Sequence, residues 1–477
     1  MRARTVALAA VIALVAGLTA PAAASAAEAA TPVLGEPVGA ATLPAGDCKL
    51  SSPFWQYNEG FGIDEAAARA TGTLTVQAIY ADFPDHRGGG EGEYWLEHLH
   101  ADAARAAANL ETQSGGRLDV IVREPSEWVT LPHPTTAYPH SGDAAWGNRT
   151  FHEFVTDAIT SAEPTIDFAG ADVVWVFYPS VAPLPTRAQA DNFVPLTPDG
   201  AVFRAITIPK LGSDASASAV IVHETGHTFG FPDLYDVTAS GGASTFLGTW
   251  DPMSDGWGDG AELEAWEFMG WHVWRLGWID DDQVSCIGTD SQIEVTLDAL
   301  TGRGDSLIAV IPTGMHRAIV VESRKADRFD ASIVRPGVLI TVVDTELGSG
   351  EGPVRVAPRD GTQFPITPEE FADSTLLPGD RYTDPATGLI VTVLASTEAS
   401  DTVRITWPGV PTEPSTTPAP VIPLTQPAAA GTATLPAMGI DSATAVATAA
   451  LLLLTGGIAL AGTRRRAVLA TARTRSR

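Results

Sequence analysis

One run of residues, 220–236, constrains this chain more than any other: Val-Ile-Val-His223-Glu224-Thr-Gly226-His227-Thr-Phe-Gly230-Phe-Pro-Asp233-Leu-Tyr235-Asp236. On a helix, the four-residue spacing sets the imidazoles of His223 and His227 on one face, one above the other. A single zinc ion can take a nitrogen from each there. Glu224 stands beside the first of them, placed to take a proton from water on the ion rather than to bind the ion itself. Gly230 can adopt the left-handed conformation that ends a helix, so the chain can turn back and bring up an oxygen ligand. Asp233 is the candidate for that third ligand. Asp236, or Glu262, Glu264 or Glu267 from a downstream helix, are the alternatives, and Asp233 is preferred because Gly230 supplies the turn it requires. The segment 215–222 is small and apolar on all sides, which predicts a helix buried in mid-domain, capped by Ser213 or Asp214.

The spacing His223-Glu224-x-x-His227-x-x-Gly230-x-x-Asp233 resembles the zincin metallopeptidases and, among them, the immune inhibitor A family of secreted bacterial proteases. The resemblance implies a methionine-containing turn beneath the metal, and Trp250-Asp251-Pro252-Met253-Ser254-Asp255-Gly256 looks like it, with Met253 as a packing floor rather than a ligand. Its Asp-Pro and Asp-Gly pairs form turns on physical grounds alone. Weaker similarity extends over about residues 70 to 405, through Ala81-Asp82-Phe83-Pro84-Asp85, Gln113-Ser114-Gly115-Gly116-Arg117-Leu118 and the Trp-rich stretch 265–278.

A zinc endopeptidase follows as the expected activity, with His223, His227 and Asp233 as metal ligands and Glu224 as the catalytic residue. Three protein ligands leave the fourth zinc position to water, and Glu224 takes its proton and hands it to the leaving amine. Tyr235 is near in sequence but reads equally well as packing. The competing class is a surface adhesin or binding protein whose zinc site is structural or vestigial; Glu224 weighs against it, because a purely structural site has no use for a base. His98 and His100, two apart on a helix, face different ways, and His152-Glu153 has no second histidine at the right spacing.

The expected partners are protein or peptide substrates, met by a monomer. A formal net charge of −28 argues against nucleic acid, since phosphate binding needs a positive footprint. The abundant carboxylates, together with the family resemblance, leave room for Ca2+ beside Zn2+, although no calcium-loop spacing occurs. At the N-terminus, Arg2 and Arg4 precede an apolar run, 6–18, and small residues around Ala24-Ser25-Ala26, the pattern of a signal peptide covering 1–26. At the other end, Leu435-Pro436-Ala437-Met438-Gly439, an apolar run 443–462 and Arg464 to Arg466 resemble a cell-wall sorting signal, with Met438 where the usual motif has threonine. An apolar run of this length also suffices to span a bilayer. Either way, the reading is extracellular and tethered to the wall or membrane of a Gram-positive-type cell. Cys48 and Cys286, the two cysteines of the chain, are expected to pair in that oxidising exterior.

Between these ends the fold class expected is α+β: a zincin-like catalytic domain, 71–290, followed by a β-sandwich-like domain, 291–407. An N-terminal arm or pro-segment occupies 27–70, a Pro/Thr/Ala-rich stalk 408–436, and the anchor with its basic tail 437–477. The periodicities predict strands over 73–83, 118–122, 172–178 and 202–208, and helices over 94–110, 151–161 and 262–276, with a Pro-rich loop over 183–198. Six further strand-like runs separated by Gly, Pro and Asp turns make up the β-rich part.

Overall fold

The computed structural model describes residues 42–62, 66–88, 92–138, 148–179, 188–195, 202–209, 217–236, 246–254, 266–289 and 292–409. The signal, most of the stalk, the anchor and the helix caps expected at Ser213 or Asp214 lie outside them. Among the described residues no helix is long and apolar enough to cross a membrane.

The described residues run through β1 (Thr42–Leu43), β2 (Gly72–Asp82), α1 (Gly92–Gln113), β3 (Leu118–Arg123), β4 (Val129–Thr130), α2 (Asn148–Ala162), β5 (Val173–Tyr178), β6 (Gln189–Pro195), β7 (Val202–Pro209) and α3 (Ser218–Thr228). After α4 (Gly270–Arg275) come β8 (Val284–Ile287), β9 (Gln292–Asp298), β10 (Ile308–Pro312), β11 (Arg317–Arg324), β12 (Gly337–Asp344), β13 (Val354–Val356), α5 (Pro368–Ala372), β14 (Arg381–Thr383), β15 (Ile390–Ser396) and β16 (Ser400–Thr406). Among the described residues the class is α+β, with three sheets and few helices.

The first sheet has the order β3-β2-β5-β7-β6, parallel throughout except for β6, which runs antiparallel on the edge. Helices cover both of its faces, which explains why β5 is apolar at every position. Val173, Trp175 and Phe177 share a buried cluster with residues of α1 and α3, whereas Val174, Val176 and Tyr178 share one with residues of α2. β6 falls where the sequence predicts a Pro-rich loop. Its alternation is hidden, because the buried Asp191 and Asn192 are polar and take partners from other elements, and the register shifts between Asp191 and Val194.

The other two sheets, β1-β8-β10-β11-β12-β13 and β14-β15-β16-β9, enclose a common apolar cluster that includes Ile311, Ile319 and Ile340 from one and Val391, Val403 and Ile405 from the other. The border expected near residue 290 is crossed by the β8–β10 pairing and by the core, while the arm joins the same sheet. β8 belongs to the six-stranded sheet, β1 of the arm pairs with it, and the largest core cluster runs from α1 and α3 through Met253 and Trp271 to Ile308, Val320 and Leu339. Cys48 and Cys286 form the expected disulfide beside the β1–β8 pairing, so this part of the arm is built into the fold.

The helix expected over 262–276 is shorter. Residues 255–265 lie outside the described set, 266–269 are not helical, and α4 begins at Gly270. The backbone amides here are already committed to side-chain acceptors: Phe268 to Gln113 Oε1, Met269 to Asp251 Oδ2 and Gly270 to Glu322 Oε2. Gly270 is required, since a Cβ there would come within 2.3 Å of Ile308.

Candidate metal centre

The run 220–236 begins on α3, which passes between the first sheet and the turn carrying Met253. His223 and Glu224 are buried, and His227 is partly so. The helix ends in a Schellman motif: the Phe231 amide donates to the Gly226 carbonyl and the Gly230 amide to the His227 carbonyl, with Gly230 at φ +94°. That left-handed residue reverses the chain and brings Asp233 back over the two histidines.

Each imidazole is oriented by a backbone carbonyl. His223 Nδ1 lies 2.8 Å from the Pro252 oxygen, and His227 Nδ1 lies 2.8 Å from the Phe231 oxygen. A carbonyl only accepts, so both Nδ1 atoms carry hydrogen, and in the neutral rings the lone pairs sit on Nε2. The two Nε2 atoms stand 3.4 and 3.3 Å from Asp233 Oδ1, a buried atom with no hydrogen-bond donor of its own. Ligand atoms about 2.0–2.1 Å from a tetrahedral zinc are separated by roughly 3.3–3.4 Å. In type, and in both distances to Oδ1, the donors therefore fit that ion, and all three lie within 4.8 Å of one another. Among the described residues, this is the one group of three such side chains whose donor atoms converge.

The alternative third ligands are not part of that convergence. Glu267 is buried against Arg303 at 3.0 Å, Asp236 does not join the cluster, and Glu262 and Glu264 lie outside the described residues. His152 pairs with Asp191, and His100 sits 4.0 Å from Glu124, so neither is drawn to the site. His98 is likewise absent from the cluster.

The same side chains shift one another's proton affinities. Burial lowers the His227 pKa, but the Asp233 carboxylate and then Glu224 raise it further, to about 9. Burial acts upward on Asp233, and the two histidines override it, leaving the carboxyl well below its ordinary range. For Glu224, burial dominates and raises the pKa, opposed by His223 and His227. Its Oε2 is buried without a hydrogen-bond partner, the condition of a base awaiting a proton donor.

Several contacts here have no local signal in the sequence. Met253, fully buried, puts its sulfur where a Cβ on Gly226 would stand, 2.3 Å away, so the glycine between the two histidines is dictated by the methionine below it. Tyr235 stacks near His223 with ring centroids 6.1 Å apart, and Tyr57 of the arm meets His227 edge-on at 6.0 Å. Asn192 of β6 donates to the carbonyls of His227 and Thr228, and its own amide donates to the Tyr57 hydroxyl. Below the site, the fully buried His272 lies between Asp251 Oδ2 at 2.8 Å and Glu59 Oε1 at 3.0 Å.

No protein-family model matches the chain, and no curated protein matches it either. Among solved structures, it is similar to wild-type OgpA from Akkermansia muciniphila, at 12% identity and a TM-score of 0.23 over 71% of this chain and 94% of that one. The catalytically inactive OgpA in complex with an O-glycopeptide, glycodrosocin, matches at 12% identity and a TM-score of 0.23, covering 71% and 93%. Likeness at that depth carries no argument about the site, which rests on its own geometry.

Proposed function

We propose that this chain is a zinc-dependent endopeptidase of the immune inhibitor A type, secreted and tethered to the cell surface. The observation that carries the reading is that Asp233 Oδ1 stands 3.3–3.4 Å from both Nε2 atoms, whose Nδ1 hydrogens are turned away. Electron pairs held that close are repulsive unless a cation, or protons in its stead, lies between them.

When bound there, zinc supplies Lewis acidity, lowering the pKa of water and polarising a carbonyl. His223 and His227 stay neutral and oriented through their Nδ1 hydrogen bonds, and Asp233 contributes the carboxylate oxygen. Glu224 removes the proton of the attacking water on its unpartnered Oε2 and returns it to the departing amine nitrogen. Burial makes this carboxylate a stronger base than an exposed glutamate. An adhesin with a purely structural zinc site would gain nothing from a buried, unsatisfied carboxylate oxygen beside the ligands.

The test is metal analysis of the purified protein together with digestion of a peptide library, with and without a chelator. Stoichiometric zinc and chelator-sensitive cleavage are expected. A metal-loaded protein that leaves every peptide intact would overturn the enzymatic reading.

A further inference from the structure

The arm residues 51–59 bridge the β-rich part and the exit of the metal helix. At one end Thr345 Oγ1 donates to the Ser51 carbonyl and Ser52 Oγ donates to the Thr345 carbonyl. At the other, the Asn58 amide donates to the Gly230 carbonyl, and Glu59 is fully buried against His272 and Arg275. Between these anchors run Phe54, Trp55, Gln56 and Tyr57. Tyr57 sits edge-on to His227 and holds φ +47°, a conformation that side-chain-bearing residues pay to adopt and that clusters at functional sites.

Trp55 is 68% exposed and Phe54 40% exposed; the other large apolar side chains with comparable exposure among the described residues, Ile121, Met315, Val334 and Ile366, are isolated in sequence. The Trp55 ring rests 5.1 Å from that of Phe193, on β6, next to the Asn192 that binds the end of the metal helix. The tip of Phe54 lies against Gly348, in the loop whose Ser349 holds Asp233. Exposed Trp55 and half-buried Phe193 leave aromatic surface in water at a free-energy cost that an apolar ligand group recovers on covering it.

We infer that Trp55 and Phe193 form a specificity subsite beside the metal centre that takes a large apolar, preferentially aromatic, side chain of a peptide substrate. This rests on the peptidase reading and deepens it. The arm is then a wall of the substrate cleft, held by hydrogen bonds at both ends.

The test uses the full zinc-loaded chain and fluorescein-labelled hexa-alanine peptides in which one phenylalanine is moved through each position. Binding is read by fluorescence anisotropy on the Glu224→Gln variant, and cleavage by mass spectrometry on the unaltered chain. One phenylalanine position should bind about tenfold or more tighter than the all-alanine parent. Adding Trp55→Ala should abolish that preference, and Trp55→Phe should keep most of it. A preference unchanged by Trp55→Ala, or no preferred position at all, overturns the subsite even if peptides are cleaved. Trp55-dependent binding without any cleavage by the unaltered chain sustains the subsite and sinks the peptidase reading instead.

Discussion

Ser349 grips Asp233 at two points: its hydroxyl accepts the Asp233 backbone N–H at 2.9 Å and donates to Oδ2 at 3.2 Å. The Gly350 amide adds a bond to the Asp233 carbonyl at 2.9 Å. The loop after β12 therefore aims the remaining oxygen, Oδ1, at the two histidines from 116 residues away in sequence. Partners that orient a ligand in this way typically matter about 10–100-fold in metal affinity. Ser349→Ala should weaken zinc binding by that order, measured by competition with a chromophoric chelator, while the thermal melt of the metal-free protein changes little.

Glu224 and Asp233 should separate cleanly in experiment. Glu224→Ala is expected to retain zinc and lose hydrolysis by about 10²–10⁴-fold; cleavage of casein at the unaltered rate would remove it from the mechanism. Asp233→Ala should instead lose zinc, read by atomic absorption. Undiminished occupancy would shift the third ligand to Asp236 or to the downstream glutamates.

Gly226 and Met253 should be energetically coupled. Gly226→Ala raises helix propensity by about 1 kcal/mol, yet its new methyl would enter the space of the buried Met253 sulfur. Overpacking of this kind costs about 1–3 kcal/mol, so net destabilisation is expected in chemical denaturation. Pairing it with Met253→Ala should recover part of that loss, and strictly additive effects would contradict the contact.

His272 should make stability depend on pH. Burial lowers its pKa, but Asp251 and then Glu59 raise it more, to about 9, above the roughly 6.5 of an unfolded histidine. The proton is therefore bound more tightly in the folded state. Its contribution, about 3 kcal/mol at most, is fully present below pH ~6.5 and is lost as pH rises toward 9. Melting temperatures of the unaltered chain and of His272→Gln, followed across that window, should converge as pH rises. A constant gap would show that His272 does not titrate there.

Local order accounts for what could be read from the chain. The four-residue spacing of His223 and His227, Glu224 beside them and Gly230 at the helix exit are all set within one helix and its terminating turn, where geometry follows from short-range backbone rules. Strands buried on both faces, such as β5, announce themselves as unbroken apolar runs. β6 does not, because Asp191 and Asn192 are buried through bonds to His152 and to carbonyls at the end of α3 rather than through apolar packing.

By itself the sequence determined the helix that carries His223, Glu224 and His227, their spacing, the α+β class and the even pair of cysteines. Tertiary structure alone decided that Asp233 Oδ1 meets both Nε2 atoms under the hold of Ser349, that Met253 requires glycine at 226, that the arm runs past His227, and that one core spans residue 290. The reason is physical: each of these contacts joins residues at least 27 positions apart, except the Asp233–histidine meeting, whose aim is set by one that spans 116. A contact closing so long a loop depends on shape and charge after folding and leaves no period in the chain for a reader to find.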